Sequence, residues 1–300
     1  MSLWIPITIA AALFQTVRFM LQRQLSLSKL SAGGATLARF MYSSPLIVVL
    51  IVGYVQLIGE PLPNFSVKFW IYCSVGGVAQ IFATICVVSL FHERNFAVGI
   101  TFKKSESIIA LLIGWLILGD SVGSWAIAAV GFGVVGVLML SAPPDLVHIR
   151  LGNLVNRASG LGLASGLLFA VSAVSYRGAS LSLDVSDPIV RAGLTLAVVT
   201  VMQTFAMIIW LRLREPGQVS AVWNARHVAV WVGLMSMAGS FCWFLAFTLQ
   251  NAALVKALGQ VELIFTAVVS VFIFRESVSG REWLGMLVLL ASILSLIFVL

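Results

Sequence analysis

Two glutamates stand in stretches that otherwise carry almost only apolar side chains. Glu106 closes the run Lys103-Lys104-Ser105-Glu106, and Glu262 follows Lys256 and Gln260. Lys103 and Glu106 are three apart and Lys256 and Gln260 four apart, so each pair shares a helix face. Arg18 and Arg39 are two further cations set deep in apolar runs. The chemistry open to such groups is binding and proton exchange, because an ionisable residue at mid-bilayer costs about 2.5–3.5 kcal/mol and faces a cavity or a partner. The plainer alternative is a carboxylate locked in an ion pair with Lys103, Lys104, Lys256 or an arginine. For the arginines it is snorkelling to the interface, more natural for Arg39 near a helix start than for Arg18. Cations outnumber carboxylates in this set, which predicts an anionic or zwitterionic ligand over a lipophilic cation.

Other chemistries find no constellation. His92, His148 and His227 fall in different loops without a second ligand at helical spacing, so neither a metal site nor a nucleophilic triad is expected. Cys73, Cys86 and Cys242 lie inside apolar stretches with no CxxC spacing and read as small buried hydrophobes. Gly131-Phe132-Gly133-Val134-Val135-Gly136 fits a dinucleotide fingerprint in letters only. It sits inside an apolar span with no strand before it, so helix packing is the expected role, as for Gly162 and Gly166. Trp115, Tyr176, Phe241 and Trp243 are aromatics that could line a cavity, with packing or interfacial anchoring as the default. No ATP-binding motif is present, so any transport must draw on a gradient or a separate subunit.

The elements that must hold these groups are set by composition. Of 300 residues, 60% are hydrophobic and 10% charged, against about 45–50% and about 25% in soluble domains. Mean hydropathy is +1.07, so the expected solvent is lipid. The net charge of +7 is dispersed at the ends of apolar runs and forms no stripe that would track phosphates, so nucleic acid is not an expected partner. No basic segment precedes the first apolar stretch, and a cleavable signal is not expected.

About ten membrane-spanning helices fit the apolar runs, each near the ~20 residues a bilayer requires. They are Leu3–Leu21, Ala35–Ile58, Phe69–Phe91, Ala97–Leu118, Trp125–Ala142, Gly160–Arg177, Pro188–Leu211, Val228–Leu249, Ala253–Phe274 and Glu282–Leu300. Glu106 and Glu262 then lie equally deep, well inside the fourth and ninth spans. The polar connection Pro143–Ser159 divides the chain into two sets of five, residues 1–142 and 160–300. Setting residue n against n+156 brings Phe91, Asn95, Ala97 and Glu106 onto Phe247, Asn251, Ala253 and Glu262, and Asp120-Ser121-Val122 onto Glu276-Ser277-Val278. An odd number of spans per unit means that the second unit crosses in the opposite sense. Such an inverted repeat places a transporter's binding site near the midplane between the halves. Arginines and lysines concentrate in the odd-numbered loops, which puts those loops in the cytoplasm and both termini outside.

At the repeat the sequence resembles the drug/metabolite transporter superfamily, specifically the EamA-type ten-helix permeases. The likeness rests on the segments from Glu106 to Asp120 and from Glu262 to Glu276, and on Gly280-Arg281-Glu282-Trp283-Leu284-Gly285 with the apolar helix that follows. It implies an all-α five-plus-five inverted repeat, a central cavity, alternating access and small metabolites or drugs as cargo. It also implies that Asp120 and Glu276 end their helices structurally. Two departures stand out: many members carry proline where Glu106 and Glu262 stand, and the family usually places both termini in the cytoplasm. The expectation is therefore a secondary transporter of a small anionic or zwitterionic metabolite, of amino-acid or organic-acid type, with proton coupling as an option. It would be a monomer or homodimer in the inner (cell) membrane of a bacterium, without enzymatic activity, cofactor or metal. The alternatives are a multidrug or lipophilic-cation exporter and, more remotely, a channel or a lipid-acting membrane enzyme.

Overall fold

A computed structural model describes residues 3–26, 30–91, 102–120, 123–141, 157–265, 268 and 280–299. These residues form α1 (Trp4–Ser26), α2 (Ala32–Ile58), α3 (Val67–Leu90), α4 (Glu106–Leu118), α5 (Ser124–Ser141), α6 (Arg157–Leu181), α7 (Pro188–Arg214), α8 (Gln218–Asn224), α9 (Arg226–Leu249), α10 (Ala252–Leu258) and α11 (Gly280–Val299). A 3-10 turn, Gly259–Val261, follows α10, and residues 262–265 resume as helix. Six helices, α1, α2, α3, α6, α7 and α9, are long and apolar enough to cross a membrane, and α4, α5 and α11 contain shorter apolar runs.

Sequence chemistry accounts for where the helices begin and end. Ser31 and Ser66 accept hydrogen bonds from Gly34 N and Phe69 N and so cap α2 and α3. Asp187 caps α7 with Pro188 in its first turn, and Asn251 caps α10 through Ala253 N. Gly59 and Gly119 end α2 and α4 at φ of 69°, a left-handed conformation that glycine adopts without steric cost.

The exposure pattern is that of a lipid-solvated bundle. Val49, Leu57, Trp115, Leu116 and Phe205 are exposed, whereas Arg18 of α1, Arg39 of α2 and Glu106 of α4 are buried. Water would reverse that arrangement.

The most extensive helix pairings are α3 with α6, α5 with α11, α1 with α9, α2 with both α7 and α9, α4 with both α6 and α10, and α7 with α9. Small residues make the closest approaches. A Cβ on Gly136 would stand 2.7 Å from Leu289 N of α11, and one on Gly76 would stand 2.7 Å from the Tyr176 ring. Gly133 and Gly136 are thus packing residues of the α5–α11 contact, as the helical context of their motif predicts.

Three expectations change. The stretch Arg212–His227, left between the predicted spans Pro188–Leu211 and Val228–Leu249, contains a short helix, α8, which packs against the start of α2, with Ser31 N donating to Gln218 Oε1 at 3.1 Å. Helix α6 begins at Arg157, inside the predicted connection. Most consequential, the fourth and ninth spans are interrupted. Residues 102–103 are helical, 104–105 form a turn, and Glu106 is the first residue of α4. On the other side α10 ends at Leu258, the 3-10 turn intervenes, and helix resumes at Glu262. Both glutamates therefore open a helical stretch instead of lying mid-helix, and the two interruptions fall at positions related by the same offset of 156.

Local chemistry explains both. Ser105 Oγ donates to Phe102 O at 2.8 Å, a side-chain bond that competes with the helical ladder. Gly259 lies against the Trp243 ring, leaving no room for a side chain. A carboxylate at a helix start meets the positive end of the dipole, and that position also tolerates proline. The glutamates thus occupy sites where either residue type can be accommodated. Of the matched repeat, Asn95, Ala97, Ser121, Val122, Glu276, Ser277 and Val278 lie outside the described residues, as do His92 and His148.

Candidate functional site

Among the described residues, the buried charged side chains are Arg18, Arg39, Lys103, Lys104, Glu106, Lys256 and Glu262, and Gln260 is buried with them. These are the charged candidates of the sequence, brought to one seam by α1, α2, the turn that leads into α4, and α10 with the residues that follow it. Five cations face two carboxylates, a net charge of +3 if all are ionised.

Glu262 is the better satisfied carboxylate. It pairs with Lys104 Nζ, lies 3.7 Å from Lys103 Nζ, and accepts a hydrogen bond from Gln15 Nε2. Gln15 in turn accepts from Trp243 Nε1 at 3.1 Å, joining α1, α9 and the ninth span. Glu106 is held differently. Lys256 Nζ lies 3.6 Å from its Oε2, too far for a strong hydrogen bond, and that buried oxygen has no hydrogen-bond donor. Gln260 Nε2 donates to Ser107 Oγ at 3.0 Å, while its Oε1 is buried without a donor.

The glutamates thus exchange partners across the halves: lysines of the first hold the glutamate of the second, and Lys256 of the second faces the glutamate of the first. Breaking a buried pair by removing one member costs about 3–5 kcal/mol, which keeps the interrupted spans registered on each other. Gly166 of α6 supports this seam, since a Cβ there would lie 2.8 Å from Lys103 O.

Aromatic faces surround the lysines. Lys103 Nζ is 5.3 Å from both the Phe19 and Phe169 ring centroids, and Lys256 Nζ is 4.8 Å from Trp243 and 5.4 Å from Phe169. These ring quadrupoles stabilise cations without neutralising them.

Both arginines stay inside the bundle, so neither snorkels. Arg18 donates to Gln22 Oε1 at 2.9 Å and lies 4.1 Å from the Phe19 centroid. Arg39 donates from Nε to Ser236 Oγ at 3.0 Å, from one terminal nitrogen to Thr84 Oγ1 at 3.0 Å, and from the other to Ser240 Oγ at 3.2 Å. Arg39 has no carboxylate partner among the described residues. Three neutral hydroxyls orient the Arg39 guanidinium, leave its charge uncompensated, and leave two of its five N–H donors for another acceptor.

Sequence reasoning did not select Gln15, Thr84, Ser236, Ser240, Phe19 or Phe169. Gln15 precedes Arg18 by three residues, and Ser236 and Ser240 are four apart, so helical spacing from the candidate cations was the available signal. Of the aromatics, Trp243 joins the site. Tyr176 is a buried hub, donating to Gly76 O at 2.9 Å and accepting from Gln203 Nε2 at 3.3 Å. Trp115 is exposed on the lipid side. Phe241 lines a separate, almost wholly apolar cavity of about 440 Å³ with Ile47, Leu50, Ile51, Met237 and Cys242.

Asp120 does more than end α4. It forms a two-pronged pair with Arg177 at 3.0 and 3.3 Å, and the same guanidinium donates to Phe247 O and Gln250 O, both at 2.8 Å. One side chain thus clamps the ends of α4, α6 and α9. Glu276, its repeat counterpart, lies outside the described residues.

Apolar surface facing outward and a charged seam inside define a multi-pass α-helical membrane protein with a buried polar site. Residues 157–298, the second half of the chain, match the EamA-like transporter family, of the drug/metabolite transporter superfamily. A solved crystal structure, titled only as that of a protein, aligns with 97% of this chain and 99% of its own at a TM-score of 0.67 and 13% identity, a likeness of fold alone. No curated protein matches the sequence.

Proposed function

We propose that the chain is a secondary transporter that moves a small organic anion or zwitterion by alternating access, using the buried charged seam as its binding site. The observation that carries this reading is the uncompensated cation: Arg39 is buried, oriented by Thr84, Ser236 and Ser240, and lacks a carboxylate among the described residues. A buried charge of this kind is expensive unless an anion visits it. Arg18, Lys103, Lys104 and Lys256 add positive potential, while Glu106 and Glu262 hold the lysines and orient the ligand.

The pairing pattern supports a five-plus-five inverted repeat. Exchanging the two sets of five spans turns the α1–α9 contact into the α3–α6 contact and returns α2–α7, α4–α10 and α5–α11 to themselves. Helices interrupted at equivalent depth in both halves are the usual construction of a midplane substrate site. Proton coupling would run through a glutamate: protonation removes a counter-charge and changes how firmly the lysines are held. Full, pH-independent transport by Glu262→Gln would exclude that residue. The expected setting is the inner (cell) membrane of a bacterium.

The reading is tested by thermal stabilisation of the purified protein against a metabolite panel at two pH values. A ligand that binds only the folded state raises stability by mass action. Organic anions or amino acids are expected to stabilise it. Stabilisation confined to lipophilic cations would contradict the cationic seam and leave multidrug export through the two glutamates.

A further inference from the structure

The two glutamates are related by the repeat but not by their surroundings, and the difference points to the chemistry of the ligand. Lys104 of the first half corresponds to Gln260 of the second, so the lysine that saturates Glu262 is replaced, on the Glu106 side, by a neutral amide. The consequence is two poorly satisfied buried acceptors, Gln260 Oε1 with no donor and Glu106 Oε2 with only the long 3.6 Å contact to Lys256 Nζ, each on a residue only 5% exposed. They belong to one spot, because Gln260 donates to Ser107, the neighbour of Glu106, and Lys256, one turn before Gln260, faces Glu106 at 3.6 Å. Buried acceptors without donors cost free energy unless a ligand or water supplies hydrogen bonds.

We infer that Glu106 and Gln260 receive a neutral hydroxyl donor of the substrate, so that the cargo is a hydroxylated organic anion, while Glu262 is a fixed counter-charge for Lys103 and Lys104. This rests on the anion reading above and narrows it. A protonated amine would also satisfy the acceptors, but it would enter beside the Lys256 ammonium in a site that already carries excess positive charge, and like charges repel strongly in a low-dielectric interior. A hydroxyl brings the donor without the charge. The anionic end of the same molecule is drawn by the excess positive charge of the seam.

The test uses the full-length protein in lipid nanodiscs and matched acids on one carbon skeleton: malate, succinate and aspartate, then lactate, propionate and alanine. Thermal stabilisation as a function of concentration gives apparent affinities. The hydroxy acid is expected to bind at least tenfold tighter than the unsubstituted acid and tighter than the amino acid. Gln260→Met is expected to bring the hydroxy-to-unsubstituted ratio near one, and Glu106→Gln is expected to lower the same ratio. Arg39→Gln is expected to weaken all three acids together. Equal binding of hydroxy and unsubstituted acids, or tightest binding of the amino acid, overturns this inference and leaves the anion reading in place. If neither series binds, the anion reading falls and takes this one with it. Should Glu106→Gln fail to fold, the wild-type ratios and Gln260→Met still decide.

Discussion

At the scale of single residues, the protein separates charges paired with an opposite charge from a charge held by neutral hydroxyls alone. Lys104 and Glu262 are mutually neutralised, with Gln15 completing the carboxylate's shell. Lys104→Met should therefore cost about 3–5 kcal/mol, read as a clear fall in Tm, because it weakens the neutralisation of a buried carboxylate. The double variant Lys104→Met with Glu262→Gln should recover part of that loss, since the uncompensated charge is removed as well. Additive losses would show that the two side chains do not interact. Arg39 is the opposite case. Arg39→Lys keeps the charge but cannot reach three hydroxyls from one nitrogen, so anion-dependent stabilisation should fall at least tenfold while the apo protein loses only about 1–3 kcal/mol. Unchanged anion affinity would remove Arg39 from the site.

At the scale of elements, the interruptions of the fourth and ninth spans decide what the glutamates can do, and their support comes from small residues. Gly166→Val would drive side-chain atoms into Lys103 O and Ser105 and should destabilise by about 1–3 kcal/mol while disturbing ligand affinity. Gly160→Ala, on the same helix with open space around it, should be neutral or slightly stabilising. Equal effects at the two glycines would argue against close packing of α6 on the turn at 104–105.

These elements also mark what could be read from sequence. The six long membrane-crossing helices, the buried charges and the packing role of Gly133 and Gly136 were legible because each rests on one-dimensional information: hydropathy, residue type and a small-residue stripe. The interruption before Glu106 was not legible. It depends on a serine hydroxyl returning to Phe102 O, and serine is common inside membrane helices without breaking them. Thr84, Ser236 and Ser240 were invisible for the same reason, since only the packing of α2 on α3 and α9 turns ordinary hydroxyls into a cradle for Arg39. The helix α8 hides in a connection whose Pro216-Gly217 reads as loop.

At the scale of the whole molecule, alternating access requires contacts that form on one side of the membrane and release in turn. The Asp120–Arg177 clamp joins three helix ends and is partly buried. Arg177→Ala removes the pair and both carbonyl bonds together. It should lower Tm by an amount equivalent to about 3 kcal/mol and increase labelling, by a maleimide, of a cysteine introduced on the α9 side of the seam. Unchanged labelling would make the clamp a static brace.

The most direct test of the central claim is counterflow in proteoliposomes. Vesicles containing the purified protein are loaded with an unlabelled organic anion chosen by its stabilisation of the protein, and uptake of the same labelled anion is followed. The account predicts saturable uptake above the external level that rises with internal anion and is lost in Arg39→Gln. Conductance without counterflow, or exchange confined to lipophilic cations and indifferent to Arg39, would contradict it.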